Sequence, residues 1–326
     1  MGIRRLNRYL KDNCKDSIRC IKVADLSGKK IAVDVSIYLY KYETENALLE
    51  NIYTMLSIFR CYNIIPIFIF DGKPPPEKKQ LLIKRKEDKE AAQKEYDRLK
   101  NVLVSMNNDD DKHDILSSLD QLKKQIVCIN KDKIEKVKEL IRAYGATYYD
   151  APGEADELCA SLVIKKKVWA CLSEDMDMFV YGCTRVLRYF SIINHTAVLY
   201  YMKGILQELK MTQQEFKEIC VLSGTDYNTN SNGDNDKVNL QTTIKYFCKF
   251  KNNANDKLTF YEWLLTNTDY ISDIELLNKI NKMFDLTTEH AKLELFKNIM
   301  ITNGPIKNEE VKEIMKEEGF IFCTVD

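Results

Sequence analysis

Five short blocks of this chain place acidic residues at the end of an apolar run or at the opening of a helix, and no other feature constrains the fold as tightly. The blocks are IAVDVS around Asp34, IFIFDGKPPP around Asp71, APGEADE with Glu154 and Asp156, LSEDMDMFVYG with Asp175 and Asp177, and LSGTDY with Asp226. Ile31–Val35 and Ile65–Phe70 are β-branched or aromatic runs closing at or beside an aspartate, which fits buried parallel strands better than helices. Thr147–Asp150, Val168–Leu172, Arg185–Phe190 and Ala197–Tyr201 are further strand candidates, with helical patterns at about 46–62, 131–144 and 153–166. The alternation predicts an α/β fold, a twisted and mostly parallel sheet with helices on both faces. Such sheets place their sites beyond the carboxyl ends of the strands. Asp34, Asp71, Asp175 and Asp177 all fall at or just past such ends.

Buried unpaired acids are costly, so a fold that gathers seven of them must neutralise them with cations. Magnesium suits hard oxygen ligands and leaves positions open to water and phosphate oxygens. Two Mg²⁺ ions about 4 Å apart, with Mn²⁺ as a substitute, would activate water and hold a leaving group, some acids acting through water. Each block has a plainer reading. Asp175 and Asp177 would cap a helix, the dipole alone favours Glu154 and Asp156 in a first turn, and Asp226 would sit in a turn. Asp34, at a strand end, has little such excuse. Lys78 lies seven residues before Arg85, two helical turns, so both can face one phosphate. The plainer alternative is a solvated basic face; their place directly after DGKPPP, where the chain leaves the sheet beside the acids, favours the first reading.

Composition narrows the class. The 326 residues, 45% hydrophobic, can fill the core of one large domain or two. The 49 basic and 49 acidic residues cancel overall. Yet residues 1–30 carry nine Lys/Arg against three Asp, and Lys73 to Lys100 carry ten basic against six acidic residues, positive surface for a polyanion. Ten cysteines without a CxxC pair, and three histidines far apart at 113, 195 and 290, make zinc an unexpected ligand. No secretory segment or 18-residue apolar run is visible, so reduced cysteines, an intracellular protein and no membrane span are expected. The MGIRRL start lacks the Ser/Thr of a myristoylation signal. Residues 76–127 read as a charged helical insertion with a polar break, NNDDDK, at 107–112. Beyond Asp226, helices are expected near 238–251, 258–268, 272–284, 288–299 and 307–318, after an Asn/Asp-rich solvent loop at 228–236. No repeat of 20–50 residues is visible.

MGIRRL, VDVSIYLY, FDGKPPP followed by Lys78 and Arg85, DAPGEADE, SEDMD and LSGTDY stand in the order and rough spacing of the flap endonuclease (XPG-type) family of structure-specific nucleases, which the chain resembles from residue 1 to about 227. The resemblance implies a nuclease core related to PIN domains, a helical arch over the site and a helical part that grips duplex DNA. It implies Asp34, Asp71, Glu154, Asp156, Asp175, Asp177 and Asp226 as metal-site acids and Lys78 and Arg85 as contacts to the scissile phosphate. Tyr40 would stack on a nucleobase near the cut; Gly2 would become the N-terminus once Met1 is removed, packing close to the site. The implied division is 1–100 for the first part of the core running into the arch, 101–127 for the rest of that insertion, 128–227 for the second part of the core and 228–326 for a degenerate helix-two-turn-helix DNA-binding region, where the family holds K⁺.

The expected activity is Mg²⁺-dependent cleavage of 5′-flap or branched DNA near a single-strand/double-strand junction, with 5′ exonuclease activity, in replication, repair or recombination. A monomer is expected, in the nucleus or another place of DNA replication. Three departures bear on substrate choice. Segment 42–52 is short for the family's wedge and 3′-flap pocket, the Gly-Ile-Gly hairpin after LSGTDY is missing, and the tail GFIFCTVD carries no glutamine-led motif for a sliding clamp. A Holliday-junction or 5′-exonuclease type member of the family is therefore the second reading. A catalytically silent DNA-binding scaffold is the third, opposed by the retained acids and by Lys78 and Arg85. An aspartate-nucleophile phosphatase, raised by the Asp-x-Asp of SEDMD, is opposed by that motif's mid-chain position without partner motifs.

Overall fold

The structure, a computed structural model, describes residues 2–105, 109–228, 238–253, 258–271, 273–286 and 300–322. The chain opens with helix α1 (Leu6–Asn13), strand β1 (Ile18–Lys22), strand β2 (Lys30–Asp34) and then helices α2 (Val35–Thr44) and α3 (Leu48–Cys61). Strand β3 (Ile65–Phe70) leads through a 3-10 turn at Pro76–Lys78 into the long helix α4 (Lys79–Ser105), which packs against α5 (Asp109–Ile126). Next come α6 (Lys131–Ala143), β4 (Thr147–Asp150), α7 (Ala155–Ile164), β5 (Ala170–Leu172), the single turn α8 (Asp177–Val180), and the hairpin of β6 (Arg185–Ser191) and β7 (Thr196–Tyr201). Helices α9 (Met202–Leu209), α10 (Gln213–Ser223), α11 (Leu240–Asn253), α12 (Phe260–Asn267), α13 (Ile274–Met283) and a last helix, Asn308–Glu317, complete the described elements.

The seven strands form one mixed sheet in the order β1-β7-β6-β5-β2-β3-β4. β6, β5, β2, β3 and β4 run parallel; at one edge β7 pairs antiparallel with β6, and β1 pairs antiparallel with β7. Strands β3 and β5 are apolar throughout, and β2 is apolar between Lys30 and Asp34, because both faces are covered. Alternation along β2 divides the core: Ile31 and Val33 join a cluster with α2, α3 and α6, while Ala32 joins the opposite cluster with α1, α7 and α10. Asp34 ends β2 in register with Ile69 of β3, so the carboxyl ends of β2 and β3 stand level.

Several expectations shift by a residue or two, and some fail for identifiable reasons. The strand expected at Ile31–Val35 stops at Asp34, because Val35 already begins α2. That helix was hidden by the strand-like composition of VSIYLYKY, as β1 was by the exposed Arg19, Cys20 and Lys22. Residues 109–112 of the expected polar break belong to α5, and 106–108 lie outside the described residues. Also outside them are the helix expected at 288–299 and, beyond Asn228, the loop at 228–236.

Candidate functional site

The carboxyl edge of the sheet brings all seven predicted acids into one neighbourhood. Asp34 is buried at the end of β2 and occupies the capping position of α2, yet its carboxylate makes no capping bond. It accepts instead from the Ser173 hydroxyl, 2.7 Å away, just past β5. Burial, reinforced by the charge of Asp71, pushes its pKa up to about 7 despite that hydrogen bond. Asp71 leaves the end of β3 and accepts from the Ser36 hydroxyl at 2.5 Å and from the backbone N–H of Ala155 at 2.8 Å. The second bond points the free amides at the N-terminus of α7 toward a carboxylate, the polarity a helix dipole favours.

Gly72 makes that approach feasible. Its N–H donates to the carbonyl of Gly153 at 2.7 Å, and a Cβ there would fall 1.9 Å from the carbonyl oxygen of Ala151. Only glycine lets the DGK turn lie flat on the APGE loop.

Glu154 stands at the capping position of α7 and also makes no capping bond. One carboxylate oxygen accepts from Lys78 Nζ at 2.6 Å and the other from the Tyr227 hydroxyl at 2.6 Å. Asp156, in the first turn of α7, is buried; desolvation and then the neighbouring charges of Glu154 and Asp175 raise its pKa well above the carboxylate range, only partly offset by Lys78. Asp175 and Asp177 sit in a turn after β5, where the Asp177 N–H donates to Asp175 Oδ1 at 3.0 Å. Burial raises both, and Asp177 is raised further by Asp175 and Asp226. The plainer readings hold in part: Asp175 accepts from the N–H of Asp177, which opens α8, Glu154 and Asp156 stand at the start of α7, and Asp226 lies in a turn.

Lys78 and Arg85 meet the acids from the base of α4. Lys78 closes the 3-10 turn and Arg85 lies in α4, so they do not share one regular helix as expected, yet both reach Asp226. Arg85 pairs with it at 3.0 Å and Lys78 at 3.9 Å. Burial opposes the charge on Lys78, but Asp156, Glu154 and Asp226 outweigh it and hold the ammonium protonated above its usual range. Among the described residues no cation stands within ion-pair distance of Asp34, Asp156, Asp175 or Asp177. Tyr40, on α2, is 48% exposed, with Lys89 of α4 above its ring at 5.4 Å; it lines a cleft with Ser36, Phe70, Asp71 and Ile134. Gly2 fits against the acids: with φ of 72°, a Cβ there would lie 2.5 Å from Asp177 Oδ1 and 2.7 Å from Asp175 Oδ1.

Sequence reasoning missed Ser173, Ser36 and Tyr227. Ser173 holds Asp34 and also accepts the Asp175 N–H at 3.1 Å. Tyr227 lies under Lys78, whose Nζ is 5.0 Å from the ring, and burial keeps its hydroxyl protonated as a donor to Glu154. Their signal was adjacency, since each lies one or two residues from a predicted acid.

The donor set is tested for a divalent ion by its own chemistry. As placed, no three of the described Asp, Glu, His or Cys side chains form a group ready to ligate one ion, and Lys78 and Arg85 engage Glu154 and Asp226. The deeper acids nonetheless have no cation in reach among the described residues, and buried Asp177 Oδ1 has no hydrogen-bond partner. All-carboxylate donors with such an orphaned oxygen fit a hard divalent cation such as Mg²⁺.

Comparison with known proteins bears on the family and the fold. The profile of the XPG N-terminal domain matches residues 1–92 and that of the XPG I-region matches residues 145–226. Flap endonuclease 1 of Aedes aegypti is 31% identical over 246 residues, 70% of this chain and 62% of that protein, so the alignment spans less than two thirds of the relative. The catalytic core of Rad2 in complex with a DNA substrate superposes with a TM-score of 0.66 at 21% identity, covering 98% of this chain and 95% of that one. The Holliday junction-resolving enzyme GEN1, in complex with product DNA and Mg²⁺, superposes with a TM-score of 0.61 at 18% identity, covering 97% and 73%. At these identities the two structures show a shared fold. No described helix is long and apolar enough to cross a membrane.

Proposed function

Because the chain belongs to the XPG family of metal-dependent, structure-specific DNA nucleases, we propose that it hydrolyses phosphodiesters of branched DNA near the single-strand/double-strand junction of a 5′ flap. The observation that carries this reading is the convergence of Asp34, Asp71, Glu154, Asp156, Asp175, Asp177 and Asp226 at one sheet edge, with Lys78 and Arg85 laid against Glu154 and Asp226 from the base of α4. These seven acids would hold Mg²⁺, two ions in this proposal, with Mn²⁺ as a substitute. When bound, the metal supplies positive charge that acidifies water and offsets the charge growing on the phosphate.

The protein's own groups do the rest. A phosphate entering at the rim meets Lys78 and Arg85, and its oxygens compete with Glu154 and Asp226 for those donors. Such preorganised cations stabilise the extra charge of the transition state more than that of the ground state. Tyr227 keeps Glu154 oriented while Lys78 changes partner. Tyr40 faces the cleft beside Asp71, where an unpaired base next to the cut would stack. The absent side chain at Gly2 leaves Asp175 and Asp177 room to reorient. In this reading residues 1–100 and 128–227 build the core, 101–127 complete the arch begun by α4, and 228–326 hold duplex DNA, as a monomer in the nucleus or another place of DNA replication, repair or recombination.

The test is Asp175→Asn against a labelled 5′ flap in Mg²⁺ with an EDTA control: binding persists while cleavage falls by orders of magnitude. Undiminished cleavage would refute the assignment.

One observation favours the second reading, a Holliday-junction or 5′-exonuclease type member. α2 ends at Thr44 and α3 starts at Leu48, so a three-residue link replaces any projecting wedge. Relative rates on 5′-flap, nicked, gapped, splayed and four-way DNAs separate the two, with a four-way, nicked or gapped preference deciding for the second.

A further inference from the structure

The carboxyl edge of the sheet has two flanks. α4 rises on the β3 side. On the β6 side stands α1 with one residue of β6, Tyr189, and nothing in the reading above uses them. Tyr189 is level with the acid loop, because Ser173 N–H donates to the Leu187 carbonyl and Tyr189 N–H donates to the Glu174 carboxylate. The β6–β7 register is broken between Arg188 and Ser191, and Tyr189 takes a φ of 54°. A bulky residue in the left-handed region is strained, and a bulge re-aims the side chain it carries. Here the ring is turned outward, 41% exposed, and is tied to α1: Asn7 Nδ2 donates to its hydroxyl at 2.6 Å and Lys11 Nζ lies 4.3 Å from its centre.

α1 presents the matching charge. Leu6 and Leu10 bury one face of the helix, and Arg8 and Lys11, three apart, share the exposed one. Arg4 and Arg5 precede the helix and Lys15 follows it, all exposed, so residues 4–16 carry five exposed cations against Asp12 and Asp16. Arg8 meets Asp12 only at 3.7 Å, with side chains 88% and 65% exposed, a pair worth little in water. The other acid near Tyr189, Glu174, is engaged by Arg188 at 3.4 Å. This row begins two residues from Gly2, which abuts Asp175 and Asp177.

We propose that Arg8 and Lys11, with Tyr189 as the platform that fixes Lys11, form a phosphate-contact station for the DNA backbone leaving the site on the β6 flank, opposite α4. Charge complementarity selects the occupant: a polyanionic backbone crossing the carboxyl edge passes the acids at the centre and needs cations on both sides. The proposal rests on the DNA reading and extends it to a surface that reading does not need. Tyr189 is a positioning residue here, acting through Lys11.

The test is binding of a labelled 5′-flap DNA by the full chain in EDTA, by fluorescence anisotropy, across a series of KCl concentrations. R8Q/K11Q lowers affinity about tenfold and reduces the slope of log K against log salt by about two, one for each lost contact. Tyr189→Leu, which keeps both charges, weakens binding about threefold through loss of the cation–π platform. Lys165→Gln, exposed at the end of α7 remote from Glu154, leaves the slope unchanged. If the wild type binds DNA but R8Q/K11Q matches its affinity and slope, or if Lys165→Gln lowers both equally, the station is refuted while the nuclease reading stands. If the wild type binds no DNA, both fall together.

Discussion

Two ionic clusters flank the end of β3 and are built on opposite principles. On one side the buried Lys138 meets Asp150 at 2.9 Å and Glu135 at 3.0 Å, with the rings of Phe70 and Tyr148 at 5.2 and 5.9 Å. Burial alone would lower its pKa, but the two carboxylates reverse this and keep it charged. On the other side the acids outnumber Lys78 and Arg85, and Asp177 Oδ1 is buried without a partner. The two carboxylates that meet Lys138 stay largely in water, 61% and 56% exposed, so that cluster fixes packing, whereas buried carboxylates with no cation in reach cost stability until one arrives from outside. Burial of unpaired like charges, rather than the mere presence of buried charge, therefore separates the site from its scaffold.

Variants can sharpen or break that comparison. The largest effect is expected at the rim: Lys78→Met slows single-turnover cleavage about 10²–10³-fold by removing a donor aimed at the reacting phosphate. A change under twofold would put Lys78 with the scaffold. Next is the response to metal in thermal unfolding. Mg²⁺ at about 100 times its Kd adds about 2.7 kcal/mol to the wild type. Asp177→Asn raises the metal-free midpoint and blunts the Mg²⁺ gain, whereas Lys138→Met costs about 1–3 kcal/mol and keeps the gain. Equal blunting in both would erase the distinction.

The smallest effect is on pH. Asp34 is raised to about 7 in the folded protein, against about 3.9 unfolded. Between these values the folded state binds more protons than the unfolded one, so metal-free stability falls as pH rises from about 4 to about 7 and then levels. Asp156, Asp175, Asp177 and Glu218, also raised by burial, act in the same direction, while Glu77, Glu215 and Glu262, lowered in the fold, oppose it. Asp34→Asn removes the Asp34 component in a urea titration series; an unchanged slope would contradict the burial argument.

Much of the α/β core was legible because hydrophobic runs, not pairwise contacts, specify it. Ile65–Phe70 and Thr147–Asp150 lie where periodicity and composition place them, and Asp34 and Asp71 mark strand ends as expected. β1 was illegible because an edge strand with Arg19, Cys20 and Lys22 exposed carries no apolar signature. The acids were readable as a set, but their partners were not. Ser173 reaches Asp34 across 139 positions and Tyr227 reaches Glu154 across 73, and no local pattern encodes such distances. The pairing of Lys78 and Arg85 with Asp226 was likewise beyond one sequence, because the turn that aims them belongs to neither an ideal helix nor a strand.

That turn has a mechanical consequence. α4 runs 27 residues from it, about 40 Å at 1.5 Å per residue. It is a lever whose fulcrum, Pro76–Lys78, touches the acids directly. A tilt of about ten degrees at the fulcrum would sweep the far tip through about 7 Å, so a small change beside Lys78 has the leverage to move the outermost point of the helix.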